Sequence, residues 1–444
     1  MDLHRRDALR LVGAAGVTGL AGCGSIAAPG GGKSWSQRAT LTAEDGTSGD
    51  QFGDSIAVSN DGSTIIVGAP AATAAGVESG VVSVFERAGD SWSRTATLTP
   101  TDTAEFSGFG TSVALSGDGK TAVIGCTGDE RTDGLVSGAA YVFERSDDGW
   151  TQDARLSVDT AFTPAQGQYF DAFGAAVAIA DDGKTALVGA PQYVDGSDDT
   201  AGTASLPGGS TTADVVAAPR STLARVPGAA FAFERSDGEW SREATVRPED
   251  PDGRVGLGSS VALADRGSTA VICANGRNTV SVFTRAGGSW TETTTLPLAD
   301  GVAVPLDEAI GVSNDGSRVI VGNSPGDDTG GSAIVFDRAD GSWSRSELSL
   351  DHTQKFGPSV AMAGDGETAI IPGLTDSDSN AVGVHVFTHA VGSWTAKTAL
   401  TAESSRRGSR YGDALALSGD GTTAVVGAPG GDTTAGSGTV YVFD

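Results

Sequence analysis

Residues 92–145 read WSRTATLTPTDTAEFSGFGTSVALSGDGKTAVIGCTGDERTDGLVSGAAYVFER, and this one unit decides the fold. It holds four apolar runs separated by turn residues. WSRTATLT (92–99) sets Thr and Ser against Trp92, Ala96 and Leu98, which suits a half-exposed strand. FGTSVALS (109–116) also alternates. TAVIGC (121–126) is continuously apolar, as a strand buried on both faces must be. AAYVFER (139–145) closes the set. In the first complete set the strands are predicted at 52–59, 64–70, 81–87 and 92–99, designated A to D.

Working outward, the unit recurs. Seven tryptophans each open a D run: Trp35, Trp92, Trp150, Trp240, Trp290, Trp343 and Trp394, separated by 57, 58, 90, 50, 53 and 51 residues. Four short strands repeating about every fifty residues predict an all-β chain, a seven-bladed β-propeller of four-stranded antiparallel blades. High glycine (65 residues) and sparse aromatics agree with many short strands and turns.

Two spacings never vary. The start of strand A to the turn glycine is ten residues, from Phe52–Gly62 through Tyr411–Gly421. The phenylalanine of strand C to the next tryptophan is seven, from Phe85–Trp92 through Phe387–Trp394. A–B and C–D are therefore tight hairpins. All length variation falls in the B–C and D–A links, which in an antiparallel blade share the opposite end. One end of the ring is uniform turns; the other carries every variable loop, including an insertion at about 192–226. Variable loops on a rigid scaffold are where specificity sits. The chain opens with a lone D strand (Trp35–Leu41) and ends on a C strand (Thr439–Asp444), so the first strand is expected to complete the last blade and remove exposed edges.

Ahead of the ring, Arg5 and Arg6 precede a Gly/Ala-rich apolar run, Leu11–Leu20, too short for a comfortable membrane span. This resembles a twin-arginine export signal, and Leu20-Ala21-Gly22-Cys23 resembles a lipobox in which Cys23 is lipidated. The expected organisation is a signal peptide (1–22), a lipid-anchor linker (23–34) and the propeller (35–444), placed at the cell surface on the outer face of the cytoplasmic membrane. Cys126 and Cys273 occupy equivalent places in strand-B runs and read as small buried hydrophobes.

The net charge is −27 with five lysines. Such a surface repels nucleic acid and anionic lipid. Dense acid with scarce lysine resembles proteins of extreme halophiles, because the Debye length shrinks to roughly 3 Å in 1 M salt.

Phe-Gly at the start of strand A (Phe52-Gly53, Phe109-Gly110, Phe173-Gly174, Phe356-Gly357) and Gly-Ala-Pro at the end of strand B (Gly68-Ala69-Pro70, Gly189-Ala190-Pro191, Gly427-Ala428-Pro429) resemble the FG-GAP repeats of integrin-α-like propellers. The resemblance spans nearly all of 35–444 and implies extracellular recognition or adhesion. Leu257-Gly258, Tyr411-Gly412 and Leu306-Asp307 depart from the first motif, and Gly125-Cys126-Thr127, Cys273-Ala274-Asn275, Gly322-Asn323-Ser324 and Pro372-Gly373-Leu374 replace the second. Integrin-type repeats often bind calcium between strands A and B. Here that link is compressed to Ser59-Asn60-Asp61-Gly62-Ser63-Thr64, and one aspartate does not supply the six to eight oxygens calcium takes. No cofactor is expected, and the A–B turns do not support calcium.

Acids recur in the B–C loops: Asp129, Asp195, Asp327, Asp328, Asp376, Asp378 and Asp432. They are candidates for a ligand-binding ring around one mouth, or are plain acidic surface. Arg406, Arg407 and Arg410 form the one basic cluster, suited to an acidic glycan or to pairing with neighbouring acids. His352, His385 and His389 lack metal-ligand spacing, and no nucleophile elbow occurs. The expected function is a lipid-anchored, monomeric ring binding an extracellular protein or glycan. The alternatives are a polysaccharide hydrolase or lyase on the same scaffold, or a structural envelope component.

Overall fold

The computed structural model describes residues 34–74, 76–101, 107–129, 137–158, 172–193, 228–248, 256–274, 279–298, 310–323, 331–350, 357–374, 382–402, 407–431 and 436–444. Trp35–Asp444 forms one compact unit. Its strands are β1 (Gln37–Leu41), then in blade 1 β2 (Ser55–Val58), β3 (Thr64–Ala69), the small pair β4 (Thr73–Ala74) and β5 (Val77–Glu78), β6 (Val81–Ala88) and β7 (Ser91–Leu98). Blade 2 holds β8 (Phe109–Leu115), β9 (Thr121–Cys126), β10 (Ala139–Ser146) and β11 (Gly149–Leu156). Blade 3 holds β12 (Ala176–Ile179), β13 (Thr185–Ala190), β14 (Ala229–Ser236) and β15 (Glu239–Val246). Blade 4 holds β16 (Leu257–Ala264), β17 (Thr269–Ala274), β18 (Thr279–Ala286) and β19 (Ser289–Pro297). Blade 5 holds β20 (Ile310–Val312), β21 (Arg318–Asn323), β22 (Ser332–Ala339) and β23 (Ser342–Leu348). Blade 6 holds β24 (Ala361–Met362), β25 (Thr368–Leu374), β26 (Val382–Ala390) and β27 (Ser393–Leu400); blade 7 holds β28 (Leu415–Leu417), β29 (Ala424–Ala428) and β30 (Thr439–Phe443).

Seven four-stranded sheets result, each ordered A-B-C-D from the axis outward. In the last, β1 pairs antiparallel with β30, with Leu41 opposite Val440 and Thr40 opposite Tyr441. The strand that enters the ring first thus completes the blade that leaves it last. The A strands contact one another around the axis, β2 to β8 and onward to β28 and back to β2.

The blade joints explain the repeated glycines. Gly110 has φ +90°, which only glycine adopts freely, and its carbonyl lies against Gly68 of the preceding blade. A Cβ on Gly68 would fall 2.3 Å from Gly110 O. Ser55 Oγ donates to the same carbonyl at 2.7 Å. Phe109, fully buried, donates its N–H to Ser79 O at 2.9 Å and packs edge-on against Tyr141 and Phe143. The Phe-Gly start of strand A is therefore a joint with the preceding blade. This is why the ladder of blade 1 begins at Ser55 and not, as the alternation predicts, at Phe52. Phe52 bridges instead to Gly438 of blade 7.

Cys126 and Cys273 form no disulfide and are fully buried, as the apolar runs predict. Burial pushes the Cys273 thiol up to about 12. Half-buried His385 has its pKa lowered by burial, and His389 packs against Trp394 at a tilt, with centroids 5.3 Å apart. The 192–226 insertion lies almost wholly outside the described residues, but Gly228 N donates to Tyr193 O at 3.2 Å, holding its two ends together.

Candidate functional site: the two ends of the ring

The A–B turns consume their own aspartates. Asp61 accepts from Ser59 Oγ (2.6 Å), Ser63 N (2.9 Å) and Ser63 Oγ (2.8 Å), while Ser59 Oγ accepts from Thr64 N at 3.0 Å. Ser116-Asp118, Ser313-Asp315 and Ser418-Asp420 repeat the arrangement. Burial pushes the Asp61 and Asp315 carboxyls up, but the hydroxyl and amide donors of their turns outweigh it and leave both below their ordinary value. These side chains serve the hairpin.

The same turns lace together around the axis. Asn60 N donates to Gly117 O (3.0 Å), Gly117 N to Asp181 O (3.1 Å), Asn314 N to Gly364 O (2.8 Å), Asp365 N to Gly419 O (3.1 Å) and Gly419 N to Asn60 O (3.0 Å). Asn314 Nδ2 reaches Asp181 Oδ2, two blades away, at 2.5 Å. The glycines at 117, 364 and 419 allow this approach, since a Cβ on each would lie 2.5–2.7 Å from an asparagine side chain.

Further out at this end, ion pairs cross the joints. Arg145 meets Glu86, Arg235 meets Glu144, Arg285 meets Glu234 and Arg87 meets Asp444, each guanidinium reaching the preceding blade. Partly exposed pairs of this kind contribute about 0–1 kcal/mol each. Between blades 2 and 3 they line a cleft of about 700 Å³ with Lys120, Lys184, Asp118, Asp182 and Asp237. Its cations and acids match in number, so it holds no strong net field.

The A strands enclose a central channel of about 630 Å³, lined by residues such as Ile56, Val113, Val177, Val261, Met362 and Leu417. At its loop end stands Arg410, paired with Asp413 at 2.6 Å and Asp54 at 3.5 Å. Of the basic cluster, Arg410 therefore adopts the pairing with acids. Arg407 begins a short 3₁₀ turn, Arg407–Ser409, and Arg406 lies outside the described residues.

Among the loop acids, Asp129 is corrected. It is 2 % exposed and does not line a loop surface. Its Oδ2 accepts from Tyr141 Oη (3.0 Å) and from Arg155 Nη2 (2.7 Å) and Nε (3.0 Å). Tyr141 and Arg155 are cross-strand partners on β10 and β11, so their side chains share a face and converge on it. Burial lowers the Arg155 pKa, but Asp129 beside it more than compensates and holds it raised. Asp195, Asp327, Asp328, Asp376, Asp378 and Asp432 lie outside the described residues, as do Arg5, Arg6 and Cys23. Among the described residues no group of three His, Cys, Asp or Glu is placed to hold a metal.

Comparison with known proteins agrees with this geometry. The FG-GAP repeat family model matches residues 35–85, 92–143 and 394–443. No curated protein sequence matches the chain. Among solved structures, the RRP9 WD40 repeats are similar at 10 % identity, covering 91 % of this chain and 96 % of that one, with a TM-score of 0.56. The Myceliophteria thermophila Cps50 (Swd1) β-propeller domain is similar at 8 % identity, covering 92 % and 99 %, with a TM-score of 0.55. Kuenenia stuttgartiensis hydrazine synthase is similar at 13 % identity, covering 90 % and 96 %, with a TM-score of 0.52. At such identities the likeness is one of fold. Three segments of the chain match the FG-GAP repeat, and the fold that holds them is a seven-bladed β-propeller.

Proposed function

We propose that this chain is a lipid-anchored cell-surface propeller that binds an extracellular protein or glycan through its loop-bearing end. One observation carries the reading: the turn end is spent on structure. Its aspartates satisfy their own hairpins, its backbone amides join turn to turn, and its arginines pair across blades. What differs from blade to blade, in length and composition, lies at the other end. The twin-arginine and lipobox resemblances of residues 1–23 support export and attachment through Cys23. The charge of −27 with five lysines supports work in concentrated salt.

The test is a glycan and protein-ligand array probed with the mature ring in molar salt, with and without calcium. Saturable capture of a protein or glycan, with the ligand recovered unchanged, is the expected result. Turnover of a polysaccharide in the same assay overturns the binding-only reading in favour of a hydrolase or lyase.

A further inference from the structure

We infer that the turn end of the ring is the side laid against the lipid bilayer, and that its tryptophan rim is the interfacial contact. This rests on the reading of Cys23 as lipidated. All seven tryptophans of the chain stand at the start of D strands, the outermost of each blade, and hence around the rim of one end. Every one is half-buried. The indole N–H groups of Trp150, Trp240 and Trp394 are buried without an acceptor. A buried indole ordinarily finds one. Here the polar atom is turned inward, away from solvent.

Basic side chains neighbour the rings, most of them paired with acids of the preceding blade. The cross-strand neighbours of six tryptophans are Arg87, Arg145, Arg235, Arg285, Arg338 and His389. Indole and arginine at one level is the combination that settles at headgroup depth. The turn between β26 and β27 adds Val391, fully exposed at φ +52°. A β-branched residue is strained there. Blades 1, 3, 4 and 5 place Gly89, Asp237, Gly287 and Asp340 at the same position, residues that accept it more readily. A valine at that tip has no apolar partner within the ring.

The position of the preceding chain selects lipid as the occupant. It enters the ring at Trp35, on this same end, with only eleven residues between it and Cys23. Fully extended, such a tether spans at most about 40 Å. A lipid on Cys23 would keep the rim within reach of the bilayer. Aspartates at neighbouring tips, among them Asp90 and Asp340, make a strongly anionic surface a poor fit, so the matching surface is a zwitterionic one.

Because every tryptophan lies on this rim, intrinsic fluorescence reports this end alone. The full mature lipoprotein is reconstituted in molar salt into phosphatidylcholine vesicles, with plain or with shallow-brominated acyl chains. Bromine is expected to quench the emission by roughly half, and acrylamide quenching is expected to weaken on reconstitution. Emission that is identical in both lipids, with acrylamide access unchanged from the ring released by cutting the tether, overturns the proposal. Mass spectrometry of Cys23 and vesicle flotation test the anchor separately. If Cys23 carries no lipid, the ring is held on chelator-lipid vesicles by a histidine tag ahead of Trp35, and the same bromine readout decides the seat.

Discussion

A chain lacking residues 34–42 is expected to melt far below the intact ring in molar salt, or to lose its cooperative transition altogether. The deletion removes β1, the outer strand of the last blade. Leu41 is 4 % exposed, and Trp35 packs against the core shared by blades 6 and 7. Burying a large apolar side chain contributes about 1.5–3 kcal/mol, so these two alone account for a large part of the roughly 5–15 kcal/mol that separates folded from unfolded domains. The ladder from Gln37 to Leu41 is lost with them, as is the Arg38–Asp444 pair, and the edge of β30 is left open to another chain. Removing nine residues at 205–213, within the long insertion, is the control, and its melting temperature should match the parent. Equal melting of the two deletions would contradict closure by the first strand.

Gly189→Ala is expected to destabilise the ring by about 3 kcal/mol or more, the upper end of what overpacking costs. The new Cβ would sit 2.0 Å from Gly258 O and 3.0 Å from Gly258 C, and both are backbone atoms of the next blade. A flexible side chain would swing aside; a carbonyl locked in a blade joint moves only with its strand. At an unstrained site the same change narrows the unfolded ensemble and stabilises slightly. Gly408→Ala, where nothing lies within 4 Å, is therefore the matched control and should stay within about 0.5 kcal/mol of the parent. Denaturant unfolding in molar salt reads both. A neutral Gly189→Ala would mean that the Gly-Ala-Pro glycine is not the joint.

The blades were legible in the sequence because their constraints are local. Turn chemistry keeps Phe52–Gly62 and its equivalents at ten residues, and continuous apolar runs mark β3, β9, β13 and β17 as wholly buried. Contacts that need the closed ring were not legible. Arg235 and Glu144 are 91 residues apart and meet only because blades 2 and 3 are neighbours. The repeated Phe-Glu-Arg of strand C (Phe85-Glu86-Arg87, Phe143-Glu144-Arg145, Phe233-Glu234-Arg235) was the available signal, with an acid and a base at fixed positions in successive units. Asp129 reads as one more acid in a variable loop. The partners that draw it inward, Tyr141 and Arg155, become neighbours only once β10 and β11 pair. The remaining loops have neither period nor fixed spacing, so the residues that would meet a ligand left no pattern to read.

One end of the ring is scaffold, and the other is read here as the end presented to ligands. Cysteine labelling on intact cells tests it most directly. Cys126 and Cys273 are fully buried and a lipid on Cys23 would occupy its thiol, so an impermeant maleimide reads the introduced thiol against the parent chain as blank. Ser205→Cys lies in the long insertion, whose ends the Gly228–Tyr193 bond holds at the loop end; Asp90→Cys lies in the turn between β6 and β7. Fast labelling at 205 and slow labelling at 90 are expected on cells, with equal rates once the ring is released in detergent. Equal rates on cells, or faster labelling at 90, would contradict that reading.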